Sequence, residues 1–126
     1  DGSRFAGATF DPSGLYRMNA VMTWLDAIGL DVKTMDAHCL GLQKYFLQRL
    51  DAARGNLSSR DLVIHDVETC GRFLTFRTEA AERIDRELAD RNIMVDHRAD
   101  RLRIGFGIYQ DERDVDRLVE ALKGIT

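Results

Sequence analysis

An arginine with a glycine two residues beyond it, Arg103 and Gly105 in the stretch RLRIGFGIY, is the pattern in this sequence that most directly offers chemistry. A guanidinium is a planar fork of donors that matches a carboxylate bidentately. A glycine beside it removes a side chain from the same surface and leaves room for a small ligand above the backbone. The stretch reads as a β-strand, and strict alternation puts Leu102, Ile104 and Phe106 on one face with Arg101, Arg103 and Gly105 on the other. Arg103 therefore points away from the core. It is either a solvated strand arginine or the anchor of an anionic ligand. Arg101 shares the face but stands near the start of the strand, where solvation is easier.

The other reactive residue types form no set. Cys39 and Cys70 lack C-x-x-C spacing and are read as reduced structural thiols. His38, His65 and His97 have no i, i+4 pairing or carboxylate motif of metal-site type, so no metal is expected. Lys33, Lys44 and Lys123 fall in predicted helices at exposed positions.

The elements that must position Arg103 follow from apolar spacing. The small-residue stretch Phe5 to Ser13, with the single proline Pro12, is a lead-in loop, and Ser13 is placed to cap a helix. That helix carries Leu15, Met18, Met22 and Leu25 on a core face and ends at Gly29. A longer helix carries Val32, Met35, Cys39, Leu42, Phe46 and Leu50 and stops at Arg54-Gly55-Asn56. Leu62-Val63-Ile64 and Phe73 to Phe76 read as two strands paired antiparallel. Thr78 is placed to cap a third helix with the narrow stripe Ala81, Ile84 and Leu88. Ile93-Met94-Val95 and the arginine strand read as a hairpin broken at Arg98-Ala99-Asp100. Asp111 caps a last helix with the stripe Val115, Leu118, Val119 and Leu122. The expected fold class is α+β, a small and mostly antiparallel sheet covered by helices. Its order is helix, helix, strand, strand, helix, strand, strand, helix.

The sequence has 126 residues, 44% hydrophobic and 31% charged, the balance of one globular domain. Its net charge of −3 gives no global attraction to phosphate backbones or anionic lipid, so neither nucleic acid nor membrane is an expected partner. No apolar run approaches the roughly 20 residues that a membrane span requires. No signal segment opens the chain, and a cytoplasmic location is expected. The opening Asp1-Gly2-Ser3-Arg4 is not a natural translation start and reads as the beginning of a fragment.

Two motifs and their separation carry a family resemblance. Arg4-Phe5-Ala6-Gly7-Ala8-Thr9 precedes a helix that ends Ile28-Gly29-Leu30. Arg103-Ile104-Gly105 is followed by Tyr109 and then by Asp114-Val115-Asp116-Arg117. Together they resemble the C-terminal part of class V aminotransferases, the fold-type I pyridoxal-phosphate enzymes that include kynureninases and cysteine desulfurases. The likeness runs from end to end of the chain. Ala8 stands where that family's motif has glycine. Val95-Asp96-His97-Arg98 ahead of the arginine strand is similar to kynureninases in particular, although the segment from Arg103 to Tyr109 is shorter and lacks their proline. Between Asn92 and Arg103 there is no cysteine, which disfavours a desulfurase.

The resemblance implies that Arg103 clamps the α-carboxylate of an amino-acid substrate. It also implies that Thr9 donates its hydroxyl to the phosphate of pyridoxal 5'-phosphate in the other subunit of a homodimer. Residues 1–14 then form the lead-in loop with the phosphate motif, and 15–126 form the small C-terminal domain. The family's Schiff-base lysine precedes the Thr9 motif, so the large cofactor domain is a missing partner and this chain alone is expected to be inactive. The expected activity is that of a pyridoxal-phosphate-dependent enzyme acting on an amino acid. The alternatives are kynureninase, a C–C hydrolase of the same family, or a non-catalytic amino-acid-binding module.

Overall fold

The computed structural model describes residues 11–125. The chain comprises helix α1 (Ser13–Ala27), helix α2 (Val32–Ala53), strand β1 (Phe73–Arg77), helix α3 (Ala81–Ala89), strand β2 (Asp96–Arg98), strand β3 (Arg101–Gly105) and helix α4 (Glu112–Lys123). The α+β class is as expected. Two compact units divide at Thr34 and Met35.

In the first unit, α1 buries none of its residues, so the expected core face of Leu15, Met18, Met22 and Leu25 is not realised there. Among the described residues of its own unit, α1 has no sheet or second complete helix to pack against. Pro12, not Ser13, is the N-cap, because the Asp11 carboxylate takes both the backbone N–H and the hydroxyl of Ser13. These hydrogen bonds hold the Asp11 carboxyl below the usual carboxylate range. Gly29 takes φ +71°, the left-handed conformation that ends a helix and that glycine adopts without a steric penalty.

The second unit holds the sheet, in the order β1-β3-β2 with both pairings antiparallel. Leu74, Phe76, Leu102 and Ile104 from one sheet face join Leu42, Phe46 and Leu50 of α2, the α3 stripe and the α4 stripe in a single core. Phe46 is its centre, edge-on to Phe76 at 6.2 Å and tilted on Phe106 at 5.5 Å. The stripes expected on α3 and α4 are buried as read. On α2 the polar Gln43 joins the buried residues, with its Nε2 donating to the Gly71 carbonyl at 3.4 Å.

Three local expectations change. Leu62-Val63-Ile64 is not a strand: Leu62 makes a single bridge to Phe76, and the Val63 N–H bonds the Thr75 carbonyl at 2.9 Å. Of these three only Leu62 is buried, so one anchor does not hold the segment along β1, which pairs with β3 instead. The first hairpin strand is Asp96–Arg98 rather than Ile93 to Val95. The tight Ala99-Asp100 loop pairs Arg98 with Arg101, His97 with Leu102 and Asp96 with Arg103. The N-cap of α3 is Ala80, while the Thr78 hydroxyl accepts the Ala80 N–H one step earlier. Asp111 caps α4 as expected, in a reciprocal box with Asp114.

Candidate functional site

Arg103 lies in the middle of β3, the central strand, on the face turned away from the core. Its cross-strand neighbours are Thr75 on β1 and Asp96 on β2. Directly opposed residues of an antiparallel pair share a face, so these three side chains form one rung across the sheet. Asp96 accepts a hydrogen bond from Arg103 Nη2, and the guanidinium carbon sits 5.6 Å from the centre of the Phe73 ring. Arg103 Nε is shielded from solvent and has no hydrogen-bond partner. The side chain remains 31% exposed, so the guanidinium is oriented from two sides and open on a third.

Gly105 works differently from the expectation. A Cβ there would meet the Phe73 Cβ and the Arg72 carbonyl oxygen at 3.4 Å, so the glycine admits the opposing Phe73 rather than an empty space for ligand. Phe73 in turn reaches the Arg103 guanidinium. Gly105 and the Arg103 guanidinium thus both border the Phe73 side chain.

The motif that follows is structural. Asp114 closes the α4 cap and Val115 is buried in the core. Asp116 accepts from Arg49 Nε at 2.8 Å and from the Tyr45 hydroxyl at 3.2 Å, which ties α4 to α2. Burial, then the Asp116 carboxylate, pushes the Tyr45 hydroxyl above its usual range. Arg117 donates to the Arg91 carbonyl at 2.9 Å. Tyr109 is exposed and, with Met94, Val95, Gly105 and Gln110, lines a cleft of about 290 Å³ of which Arg103 is not a wall.

Thr9 and its motif lie outside the described residues. Lys44 pairs with Glu68 at 2.7 Å and Lys123 with Glu120 at 2.8 Å, both on the surface, and Lys33 is exposed on α2. Lys44 holds the Glu68 carboxyl below its usual range. Within the second unit, Lys44 and Lys123 belong to α2 and α4, whose apolar stripes pack on the core face of the sheet, opposite to the face of Arg103. Neither of these two lysines is therefore placed beside Arg103, where covalent attachment of an aldehyde cofactor would need one. Cys39 is buried on α2, and the Cys70 thiol donates to the Asp66 carbonyl at 3.4 Å. His38 Nε2 contacts the Gln110 carbonyl at 2.9 Å, and His97 Nδ1 meets Asp85 at 2.7 Å. Among the described residues no group of three or more His, Cys, Asp or Glu side chains is placed to hold a metal ion.

Sequence reasoning missed Asp96 and Phe73. Neither neighbours Arg103 in sequence, and only the strand register brings them to it.

Comparison with protein-family models matches residues 35–122 to the kynureninase C-terminal domain. Comparison with curated proteins and with solved structures gives no match. The matched span covers β1, α3, the β2–β3 hairpin that carries Arg103, and all but the last residue of α4. With the arginine strand, its aspartate partner and the following capped helix all inside that span, the chain belongs to the kynureninase C-terminal domain family, within the class V aminotransferase-like proteins.

Proposed function

We propose that this chain supplies the substrate-carboxylate arginine, Arg103, to a pyridoxal 5'-phosphate-dependent enzyme acting on an amino acid. The observation that carries the reading is the placement of Arg103 at the centre of the middle strand, on the open face, with its guanidinium held by Asp96 and Phe73. A carboxylate arriving there meets a fork that is already oriented, which reduces the ordering cost of binding. When bound, pyridoxal phosphate supplies an electron sink for the substrate amino acid. The groups that hold it belong to a large cofactor domain, with Thr9 offering a hydroxyl to its phosphate across a homodimer, as the resemblance implies. The role of this chain is then to fix the substrate's orientation by its carboxylate. Alone it is inactive. Family membership favours hydrolytic C–C cleavage of the kynureninase type as the reaction.

The test is Arg103→Ala in the complete enzyme, expected to lose about 2 to 4 kcal/mol in kcat/KM for an amino acid and little for an analogue lacking the α-carboxylate. Arg103→Lys keeps the charge without the fork and should fall between. An intact kcat/KM for the amino acid would remove Arg103 from the site.

A further inference from the structure

Arg103 does not have its whole fork to give. Asp96 accepts from Nη2, and Nε is shielded from solvent, so Nη1 is the guanidinium nitrogen left open to a ligand. A carboxylate brings two oxygens, and each needs a donor when it is taken from water. If one meets Nη1, the other requires a second donor close by. Of the groups around the guanidinium, the Asp96 carboxylate can only accept, and the Phe73 side chain has no N–H or O–H to offer. Thr75 differs from both.

Thr75 stands directly opposite Arg103 on β1 and is half-buried. Its carbonyl accepts the Val63 N–H at 2.9 Å, on the edge of β1 that faces away from β3. In a strand the N–H and C=O of one residue point to the same side, so Thr75 and Arg103 exchange no ladder hydrogen bonds. Pairs of this kind bring side chains closest, with Cα atoms about 4.5 Å apart. The hydroxyl therefore belongs to a side chain that borders Arg103 on the open face, and it is engaged by no other group among the described residues. The core takes nothing from it, since Leu74 and Phe76 on either side fill the opposite face.

We infer that the Thr75 hydroxyl is the second donor for the carboxylate held by Arg103, with one carboxylate oxygen on Nη1 and the other on the threonine O–H. The inference rests on the carboxylate reading of Arg103 and adds a residue to that site.

The experiment is calorimetric titration of the complete enzyme at low ionic strength with pentanoate, a carboxylate that carries no other polar group. Thr75→Val keeps the shape and removes the hydroxyl, and it is expected to weaken pentanoate binding about five- to twentyfold. Thr75→Ser restores the donor and should stay within about twofold of the unaltered protein. The unfolding midpoint of Thr75→Val separates a ligand contact from a structural one: it should be equal or higher, because valine suits a strand and no internal hydrogen bond is lost. Pentanoate affinity unchanged in Thr75→Val, no recovery in Thr75→Ser, or a loss of affinity accompanied by a lowered midpoint would overturn the inference. Arg103→Gln distinguishes its failure from that of the reading beneath it. If Arg103→Gln weakens pentanoate binding and Thr75→Val does not, the role of Thr75 alone is wrong. If Arg103→Gln changes nothing, or pentanoate does not bind the unaltered protein, both are overturned.

Discussion

At the scale of single residues, the charge of Arg103 is balanced by Asp96, which a carboxylate bound as proposed would have to displace or share. Asp96 holds Nη2, one of the nitrogens that a bidentate carboxylate would use, and it places a negative charge beside the arriving anion. Exposed pairs of this kind contribute roughly 0 to 1 kcal/mol. Asp96→Asn should therefore tighten carboxylate binding by a few fold at most, as read by titration with pentanoate, with little change in Tm. The amide oxygen of Asn can still accept from Nη2 and keep the guanidinium oriented, so a marked loss of affinity would mean that the full charge of Asp96 is needed for that orientation. Leu102 is the complementary case, wholly buried next to Arg103 in sequence. Leu102→Ala should cost about 2 to 5 kcal/mol in denaturant unfolding without selective loss toward carboxylates. Alternation alone made this contrast legible, because neighbours in a strand face opposite ways. Which residues stand across from Arg103 was not legible, since pairing partners are set by register and not by composition.

At the scale of elements, local chemistry could be read and tertiary choice could not. The α4 cap was legible because Asp111 and Asp114 satisfy orphan N–H groups within one turn. Asp111→Ala should cost about 0.5 to 2 kcal/mol, measured by thermal unfolding. The segment at Leu62 to Ile64 has strand-forming residues, but the edge of β1 takes only the Leu62 bridge and one Val63 hydrogen bond, and nothing local announces that. The β2–β3 loop shows a different mismatch. Ala99 sits at φ +51°, a conformation that disfavours a Cβ. Ala99→Gly should stabilise the protein by roughly 1 kcal/mol, with the relief of backbone strain partly offset by a more flexible unfolded chain. An unchanged or lowered unfolding midpoint would show that the hairpin carries no strain at that residue.

At the scale of the whole molecule, the core of the second unit depends on one ring. Phe46 on α2 touches both Phe76 of β1 and Phe106 beyond β3, so it joins helix to sheet at the centre. Phe46→Ala is expected to cost about 3 to 5 kcal/mol in denaturant unfolding, a large share of the stability of a small domain. The helical stripes of this unit were legible because each faces one core. The stripe on α1 was misread for the same reason in reverse: periodicity shows that a helix has an apolar side and does not say what lies against it.

The sheet also has a bearing on how the protein behaves at high concentration. Its outer strand on one side is only three residues long, Asp96, His97 and Arg98, and on the other side the Leu62 bridge and the Val63 hydrogen bond occupy part of the rim of β1. A short rim of charged residues and a partly occupied one give another chain few free N–H and C=O groups in register on which to add a strand. A sheet guarded at both margins in this way resists becoming a template for fibrillar self-association, the hazard of an unguarded margin.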